Sequence, residues 1–481
     1  MKNKVLLYHG ISTAYADTDR SPSFSLMALS AYLKKKNYQV GLLLNKYSDQ
    51  QLKLNLKNCL AVGFSVYTGN GILSSLNMAR RIRKINPKIP LIWGGYHPTL
   101  EPEQTIKSKY IDFVIRGQGE TTLEQLLDYF KNKQKSLKQI KGLTYKINQK
   151  IYHNQPAKPI DINHLPRLDY RLYHHVYHQS QSVGMITSRG CPFNCKFCCS
   201  AAFNRSEGLR YFQLSIDRII GDIKYLLKQY SPDSIEFLDD NFFTSKKRVE
   251  LFVKAYLENK FTFSWTAYAR CDTFSRFDDI LVKNLKKINL KKVFFGVESG
   301  SAKILTMVDK KITIGQVLAS VRKISRQQIL GDFTFINGFP KERKADVLKS
   351  LRLRKKIKSI LPQATVRFFT YVPLPATETL KDCLSLGYQK PDKLTGWAWH
   401  EYHSFAGPWL KPAHKRLVNN IAWLALFDTI DLSLVDFLTR IIFKLLQIDS
   451  RFRFKTNFFN FMFEFETINK IYRRKLAKAF A

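Results

Sequence analysis

Three closely spaced cysteines stand in one loop of the chain. Cys191, Cys195 and Cys198 follow the apolar run 183–187 in the pattern Cys-x3-Cys-x2-Cys. Three thiolates on one loop can bind three irons of a cubane iron–sulfur cluster, which is ordinarily held by four thiolates. The pattern therefore predicts a [4Fe–4S] cluster whose fourth iron stays open for a small molecule.

Two other uses of these cysteines fit the sequence less well. A structural zinc site needs four ligands, usually in paired Cys-x2-Cys or His groups, and the remaining cysteines form no second pair. A disulfide framework is typical of small secreted domains, whereas this chain has 481 residues and seven scattered cysteines. Cys199 directly follows a candidate ligand, and we expect it to be either an ordinary buried thiol or a thiol that packs beside the ligands without binding iron.

The cysteine loop resembles the signature of the radical S-adenosylmethionine (radical SAM) enzymes, Cys-x3-Cys-x-aromatic-Cys, with Phe197 at the aromatic position. The resemblance implies that S-adenosylmethionine chelates the open iron through its amino and carboxylate groups. Reductive cleavage would then produce a 5′-deoxyadenosyl radical, with the electron supplied by an external donor of the flavodoxin or ferredoxin type. The cofactors would carry the chemistry, and the protein would bind and orient them.

Six apolar strands, each followed by a helical pattern, are predicted over residues 183–385. Six parallel β/α units form an open, partial (β/α)6 barrel, and barrel chemistry gathers at the carboxyl ends of the strands. The resemblance assigns nine residues of this region to S-adenosylmethionine: Phe197, Asp239, Asp240, Asn241, Arg270, Glu298, Ser299, Gly338 and Pro340.

Within this set, the resemblance implies that positions 239–241 lie near the methionine amino group and 298–299 at the methionine or ribose end. Positions 338 and 340 would form the wall beside the adenine. Arg270 is the candidate for the methionine carboxylate, because a guanidinium group matches a carboxylate bidentately. Ordinary structural roles remain open, namely a helix cap for Asp240 and a surface ion pair for Arg270.

Residues 1–140 alternate apolar strands with amphipathic helices. This alternation predicts a doubly wound, Rossmann-like parallel sheet, which binds ligands at the carboxyl ends of its strands. Glycine pairs stand at two of those ends, in the motifs Gly-Gly-x-His-Pro-Thr at 94–99 and Arg-Gly-x-Gly-Glu-x-Thr at 116–122. Neither motif is a Gly-x-Gly-x-x-Gly dinucleotide fingerprint, and turn chemistry alone would explain such pairs.

Beside the cysteine loop, these glycine motifs, with the stretches 20–25 and 64–68, resemble the cobalamin-binding domain that precedes many radical SAM enzymes. The resemblance implies contacts with the corrin or its nucleotide tail from Ser65, Val66, Gly94, Gly95, His97, Gly117 and Gly119. The Asp-x-His-x-x-Gly loop that would supply a cobalt ligand is absent. We therefore predict cobalamin with its base displaced and no protein histidine on cobalt, and a structural or polar role for His97.

The rest of the chain carries weaker patterns. Residues 141–182 are predicted to form an irregular linker between the two domains, and residues 386–481 a mainly helical segment rich in aromatic and basic side chains. We expect this segment to close the barrel mouth. The aromatic and basic stretches 452–463 and 472–478 also suit a membrane surface or, less well, single-stranded nucleic acid.

The charge of the chain is strongly unbalanced, with 78 Lys and Arg against 38 Asp and Glu and a net charge of +40. Such a field favours anionic partners, although a generally lysine-rich proteome would produce the same composition. No secretory signal and no run of 18 apolar residues is found. We expect a cytoplasmic protein, with a location at the membrane periphery as an open alternative.

Together these features predict a cobalamin-dependent radical SAM enzyme, with C-methylation of an unactivated carbon in a lipid or other natural product as the leading hypothesis. One S-adenosylmethionine would methylate cobalamin and a second would generate the radical. Cyclisation, rearrangement or oxidation is the first alternative. The second is a methylthiotransferase-like enzyme acting on nucleic acid. Such enzymes carry three cysteines in the amino-terminal domain, where this chain has only Cys59.

Overall fold

The computed structural model describes residues 3–10, 22–132, 136–400, 402, 405, 407–429 and 437–459, with the backbone alone for 437–440 and 442. Two α/β units and a helical carboxy-terminal segment follow one another along this part of the chain. The predicted stretch 472–478 lies outside the described residues, as do residues 20 and 21 of the stretch 20–25 and residues 460–463 of the stretch 452–463. No helix within the described ranges combines the length and hydropathy that a membrane span requires.

The first unit is built on a seven-stranded sheet in the order β2-β1-β3-β4-β5-β6-β7 within the described chain. Its strands are β1 (Lys4–Gly10), β2 (Gln39–Leu42), β3 (Cys59–Val66), β4 (Leu91–Gly94), β5 (Phe113–Ile115), β6 (Leu143–Ile147) and β7 (Lys150–His153). Its helices are α1 (Phe24–Lys35), α2 (Asp49–Leu56), α3 (Gly71–Ile85), α4 (Tyr96–Leu100), α5 (Pro102–Ile106) and α6 (Glu120–Asn132). Strands β1 to β5 are parallel, so their carboxyl ends share one edge.

Strands β6 and β7 form an antiparallel hairpin in a stretch for which the sequence predicts irregular backbone. The turn residues Asn148 and Gln149 both have positive φ, at 50° and 65°. Two left-handed residues in a two-residue loop match the twist of the flanking strands. The hairpin then pairs antiparallel with β5 and extends the sheet beyond its parallel part.

The second unit is a six-stranded, all-parallel sheet in the order β15-β14-β13-β12-β11-β8, as far as the described residues extend. Its strands, with the short pair β9 and β10, are β8 (Ser182–Met185), β9 (Ser188–Arg189), β10 (Phe212–Gln213), β11 (Ser234–Phe237), β12 (Ser264–Ala269), β13 (Leu290–Glu298), β14 (Leu330–Asn337) and β15 (Thr365–Thr370).

Helices accompany these strands: α7 (His174–Tyr177), α8 (Cys199–Ser206), α9 (Ile216–Tyr230), α10 (Lys246–Glu258), α11 (Cys271–Phe274), α12 (Asp279–Lys287), α13 (Ala302–Met307), α14 (Ile314–Arg326), α15 (Lys344–Ile360) and α16 (Glu378–Ser385). Alternate residues of β13 are fully buried, as Val293, Phe295 and Val297 show. Because side chains alternate along a strand, one face of the sheet packs on the helices and the other faces the open barrel. The predicted partial barrel is therefore confirmed.

The carboxy-terminal segment contacts both units. Residues 386–400 return to the first unit, where Trp397 is fully buried and its indole N–H donates to Gln104 Oε1 at 2.8 Å. Lys390 forms an ion pair with Glu101 at 2.6 Å. The helices α17 (Pro412–Thr429) and α18 (Phe437–Thr456) then pack beside β15. The segment therefore ties the barrel to the amino-terminal sheet.

Candidate active site

A cavity of about 320 Å³ lies between the amino-terminal sheet and the barrel. Five of the seven residues predicted for cobalamin line one side of it, at the carboxyl ends of β3, β4 and β5: Ser65, Gly94, Gly95, Gly117 and Gly119. The opposite side comes from the barrel: Ser188, Arg189, Gly190, Asp239 and Asp240. Ligands of parallel sheets bind at the carboxyl ends of the strands, and here two such edges face one another across one space.

The side of the cavity that carries Gly94, Gly95, Gly117 and Gly119, called the glycine wall below, suits a bulky cofactor. Gly95 has φ +96°, and a Cβ there would lie 3.0 Å from both the N and the O of Val66. Only glycine allows the ends of β3 and β4 to come this close, which leaves bare backbone along the wall. Deeper in, Leu7, Ile92 and Leu123 line an apolar recess. Bare backbone with an apolar recess fits the corrin and nucleotide tail of cobalamin.

Val66 and His97, also predicted for cobalamin, are not among the residues that line the cavity. His97 is fully buried, its Nδ1 lies 3.0 Å from Thr68 Oγ1, and its ring lies 5.9 Å from that of Trp397. Burial lowers the pKa of His97 to about 3, so the ring is neutral. No histidine occurs among the described residues of the cavity wall.

The cysteine loop runs beside the barrel end of this cavity. Cys195 is buried, whereas Cys191 and Cys198 are half-buried. Two backbone bonds anchor the loop at its centre: Lys196 N donates to Val308 O at 3.0 Å and Lys196 O accepts from Thr379 N at 3.2 Å. These contacts hold the loop between the segments that follow β13 and β15.

The three thiols of the loop differ in the direction in which their surroundings shift the pKa. The thiol of Cys199 and the amide N–H groups at the start of α8 lower the pKa of Cys198. Burial instead raises the pKa of Cys191 to about 11 and also raises the pKa of Cys195. A strongly positive partner is needed to keep those two groups as thiolates, and iron supplies that charge. Three thiols on one anchored loop thus fit the donor set of a [4Fe–4S] cluster with one open iron.

No three His, Cys, Asp or Glu side chains in the described ranges surround one point as ligands of a single metal ion do. The thiolates of a cubane bind different irons, so they need no such common point.

Asp239 and Asp240 follow β11 and differ in their surroundings. Asp239 is buried and accepts from Thr187 N at 2.8 Å, from Thr187 Oγ1 at 2.9 Å and from Ser188 Oγ at 2.5 Å. It therefore fixes the backbone that leads into the cysteine loop. Asp240 faces the cavity, where burial raises its pKa and the Ser200 hydroxyl donates to it.

Two buried asparagines at strand ends carry amide groups with no hydrogen-bond partner. Asn241 follows β11 and Asn337 ends β14, and the side-chain oxygen and nitrogen of both are unsatisfied among the described residues. Buried polar groups are nearly always paired in folded proteins. A polar ligand at this edge would pair them, and the amino, carboxylate and hydroxyl groups of S-adenosylmethionine fit that requirement.

The loop after β14 forms a rigid wall next to these amides. Gly338 has φ +90°, its carbonyl accepts from the Trp409 indole at 3.0 Å, and its N–H donates to Glu342. Pro340 in the same loop is buried. The Phe197 ring packs edge-on against Phe339, with 5.7 Å between ring centroids. The cysteine loop and the predicted adenine wall are therefore in direct contact.

Glu298 is the last residue of β13, and Ser299 follows it. Glu298 has φ +65° and accepts from the buried ammonium group of Lys310 at 2.6 Å. A Cβ at Gly296 would lie 2.5 Å from Glu298 Oε1, so the ion pair folds over that glycine. Ser299 is fully buried and its hydroxyl accepts from Ser301 N at 3.1 Å. Arg270 contacts Cys195 and Asp272 and does not line the cavity.

Two ion pairs join the two units beside the cavity, and sequence reasoning missed both; one is buried at both ends, and in the other the arginine is partly exposed. Arg116 Nε lies 2.9 Å from Glu207 Oε1, and Arg189 Nη2 lies 2.6 Å from Glu120 Oε1. Arg116 and Glu120 belong to the glycine motif at 116–122, and that motif is the sequence feature that could have identified them as functional residues. Glu207 stands in no motif, and nothing in the sequence singles it out.

Comparison with known families agrees with this geometry. The model of the B12 binding domain matches residues 18–127, and the model of the radical SAM superfamily matches residues 185–354. An uncharacterized methyltransferase of Pyrococcus horikoshii is 33% identical over 316 residues, which is 64% of this chain and 66% of that protein. The anaerobic magnesium-protoporphyrin IX monomethyl ester cyclase of Rubrivivax gelatinosus is 23% identical over 405 residues, covering 80% and 69%. The chain thus spans about two thirds of the length of these relatives.

Solved structures share the fold. The radical S-adenosylmethionine methyltransferase TsrM from Kitasatospora setae, with cobalamin and a [4Fe–4S] cluster bound, has a TM-score of 0.66 at 16% identity, covering 81% of this chain and 80% of that one. The cobalamin-dependent S-adenosylmethionine radical enzyme OxsB has a TM-score of 0.74 at 17% identity, covering 94% and 71%. Radical SAM membership implies a [4Fe–4S] cluster and S-adenosylmethionine, and the B12-binding domain supports cobalamin. The chain therefore belongs to the radical SAM superfamily, with its radical SAM domain preceded by a B12-binding domain.

Proposed function

We propose that the chain is a cobalamin-dependent radical SAM C-methyltransferase. The observation that carries the proposal is the single cavity with the glycine wall of the B12-binding domain on one side and the barrel strand ends on the other. Methyl transfer to a carbon radical requires the methyl donor and the radical source to face one substrate. When bound, the cluster with S-adenosylmethionine supplies the 5′-deoxyadenosyl radical and cobalamin supplies the methyl group.

The residues of the chain have separate tasks in this proposal. The thiolates of Cys191, Cys195 and Cys198 hold the cluster. Asp240 and the unsatisfied amides of Asn241 and Asn337 bind the polar groups of S-adenosylmethionine. The other residues predicted for that cofactor, which run from Phe197 to Pro340 along the chain, do not bind it directly in this proposal. They stiffen the loops that surround its site. The two interdomain ion pairs hold the two walls of the cavity together.

We propose further that cobalamin is held with its base displaced and with no histidine on cobalt. The support comes from the wall itself, which has no histidine among its described residues. His97 is behind the wall and its Nδ1 is engaged by Thr68. In the cob(II)alamin form, the electron paramagnetic resonance spectrum should lack the nitrogen splitting that an axial imidazole or benzimidazole produces. Such splitting would contradict this part of the proposal.

The partners proposed are a small-molecule or lipid substrate and an external one-electron donor. A lipid substrate gains support from α18, where a line of apolar side chains faces solvent at the spacing of one helix face. Their exposed fractions range from 46% for Ile441 to 63% for Leu445, and Ile448 and Phe452 complete the line. An exposed apolar face of this extent marks an interaction surface.

Basic side chains surround this exposed face of α18. Lys444, Arg451 and Lys455 are exposed on the helix itself. The neighbouring helix α15 adds the exposed Arg352 and Lys355, and Lys355 Nζ donates to Lys455 O at 3.3 Å. Apolar residues flanked by Lys and Arg suit the surface of an anionic bilayer. We therefore propose that α18 docks the enzyme on a membrane that contains its substrate.

Vesicle sedimentation tests the docking. The full chain should bind vesicles of phosphatidylcholine with phosphatidylserine, bind pure phosphatidylcholine weakly, and be released by salt. The double variant L445Q/F452Q should lose most of this binding, whereas I280Q should not, because Ile280 is 74% exposed but has no second exposed apolar side chain beside it on α12. Equal binding of both variants, or no binding by the unaltered chain, would refute the docking.

Methyl counting tests the function. The reconstituted chain is incubated with a reductant, a cell lipid extract and S-adenosylmethionine carrying a deuterated methyl group. Transfer of the intact labelled methyl to a product carbon supports the transferase. A radical cyclase is the second candidate, favoured by the relative from Rubrivivax gelatinosus that is named as a cyclase. Label confined to the cofactors and to methionine, with 5′-deoxyadenosine still formed, would contradict methyl transfer and favour that candidate.

A further inference from the structure

Arg270 donates a hydrogen bond to a predicted cluster ligand. Its Nη1 donates to Cys195 Sγ at 3.3 Å, and the guanidinium carbon lies 3.8 Å from the centroid of the Phe193 ring. The side chain is buried. Arg270 therefore contacts the cysteine loop at two points, through a directed N–H···S bond and by stacking.

The remaining donors of Arg270 are also engaged. Nε donates to Asp272 Oδ1 at 3.0 Å and Nη2 donates to Asp272 Oδ2 at 3.3 Å, while Nη2 also donates to the Lys310 carbonyl. A guanidinium group has five N–H donors, so only the second N–H of Nη1 remains. The bidentate match to a methionine carboxylate that the resemblance implies for Arg270 is therefore already taken by Asp272.

The charges around this contact are balanced. Asp272 neutralises Arg270 at 3.0 Å, and Glu298 neutralises the buried Lys310 at 2.6 Å. With two cations and two anions in the group, no net charge is added beside the loop. The directed N–H toward sulfur is thus the main influence of Arg270 on a cluster held by Cys195. Hydrogen bonds to the sulfurs and local charge set the reduction potentials of iron–sulfur clusters.

We infer that Arg270 is a positioning residue for the cluster, which donates to the Cys195 thiolate and raises the potential at which one electron reduces [4Fe–4S]2+ to [4Fe–4S]+. Asp272 and the Lys310 carbonyl hold its guanidinium in the donating orientation. The electron comes from the external donor of the proposed function, and no bond is made or broken at Arg270. The inference rests on the proposed ligation of the cluster by Cys191, Cys195 and Cys198.

A potentiometric titration followed by electron paramagnetic resonance tests the inference without any substrate. The full chain is reconstituted with iron and sulfide in the absence of S-adenosylmethionine, and its iron content is measured first. R270Q should shift the midpoint potential downward, and R270K should shift it less. D272N should shift it upward, because it removes a nearby negative charge while the Lys310 carbonyl and the Phe193 ring still hold the guanidinium group. R326Q is the matched control, since Arg326 is an exposed arginine paired with Asp279.

The outcomes separate this inference from the proposed function. Absence of about four irons per chain in the unaltered protein would defeat the cluster assignment itself. An unshifted potential in R270Q, with S-adenosylmethionine affinity weakened roughly tenfold or more, would make Arg270 a carboxylate ligand and overturn the inference. Loss of iron from both R270Q and R270K would assign Arg270 a folding role and also overturn it. A shift in R270Q with affinity close to that of the unaltered chain supports it.

Discussion

Gly95 offers the sharpest test of the glycine wall. Its backbone angles, φ 96° and ψ −166°, lie in a region that is essentially restricted to glycine. An alanine methyl would also lie 3.0 Å from the N and the O of Val66, which are backbone atoms that cannot rotate away. Strain and overlap together should cost about 2–4 kcal/mol in the G95A variant. For a domain of this size, that loss lowers the melting temperature by roughly 4–16 °C.

Alanine variants at two other glycines separate the contribution of backbone strain from that of close atomic contact. Gly387 has φ +87° but nothing within 4 Å of a built Cβ, so G387A measures backbone strain alone. At Gly94, a Cβ would meet Ile115 O at 3.4 Å with no left-handed strain, so G94A measures a mild contact. We expect G95A to lose more stability than either variant. We also expect G95A to retain less corrinoid, because the wall must move to accept the methyl.

The assay is thermal unfolding followed by circular dichroism, together with the visible spectrum of corrinoid retained after gel filtration. The predicted loss of stability requires that the backbone of Val66 cannot move away from the methyl group added in G95A. A G95A protein with the melting temperature and corrinoid content of the unaltered chain would refute the reasoning. A G387A protein destabilised as strongly as G95A would show that strain, and not the close approach to Val66, carries the effect.

Three further predictions follow from buried groups. In E207Q, the loss of the carboxylate leaves Arg116 buried without its charge partner, which should lower the free energy of unfolding by about 3 kcal/mol and loosen the contact between the two domains. Limited proteolysis between the domains should therefore be faster, and an unchanged cleavage rate would contradict this. In D239N, weaker anchoring of Thr187 and Ser188 should reduce the irons per chain after reconstitution, while D278N, at the exposed N-cap of α12, should not. Burial raises the pKa of Glu342 from 4.5 to about 8, so the folded state keeps a proton that the unfolded state has lost between those values. Stability should therefore fall as pH rises through that window, and E342Q should flatten the dependence of the urea midpoint on pH.

Local sequence patterns were sufficient to predict most of the strands and helices of the fold. The apolar run 4–8 lies within β1 (Lys4–Gly10), and the amphipathic stretch 25–36 coincides almost completely with α1 (Phe24–Lys35). Burial on one face of a helix leaves a periodic pattern of apolar residues in the sequence, and burial on both faces of a parallel strand leaves a continuous apolar run. The β6–β7 hairpin left a weaker record because its outer strand is partly exposed, and its turn has Asn-Gln where Asn-Gly would be the clearer signal.

The site was predictable only where residues are local. The spacing of the cysteines was sufficient to indicate a cluster loop, and the glycines to indicate a ligand wall. The partners of the charged groups were not predictable. Arg116 and Glu207 are 91 positions apart, and Arg270 and Cys195 are 75 apart. In a chain with 78 basic and 38 acidic residues, each acid has many candidate partners. Only the packing of the two domains selects among them.

The central claim is that cobalamin and the cluster face one cavity, and magnetic coupling between them tests it most directly. The full chain would carry both cofactors, with cobalamin as cob(II)alamin and the cluster reduced, so that each bears an unpaired electron. The shared cavity predicts electron paramagnetic resonance spectra broadened or split by the neighbouring spin, and sharp spectra when either cofactor is omitted. Two independent spectra, each identical to that of the singly loaded protein, would contradict the account.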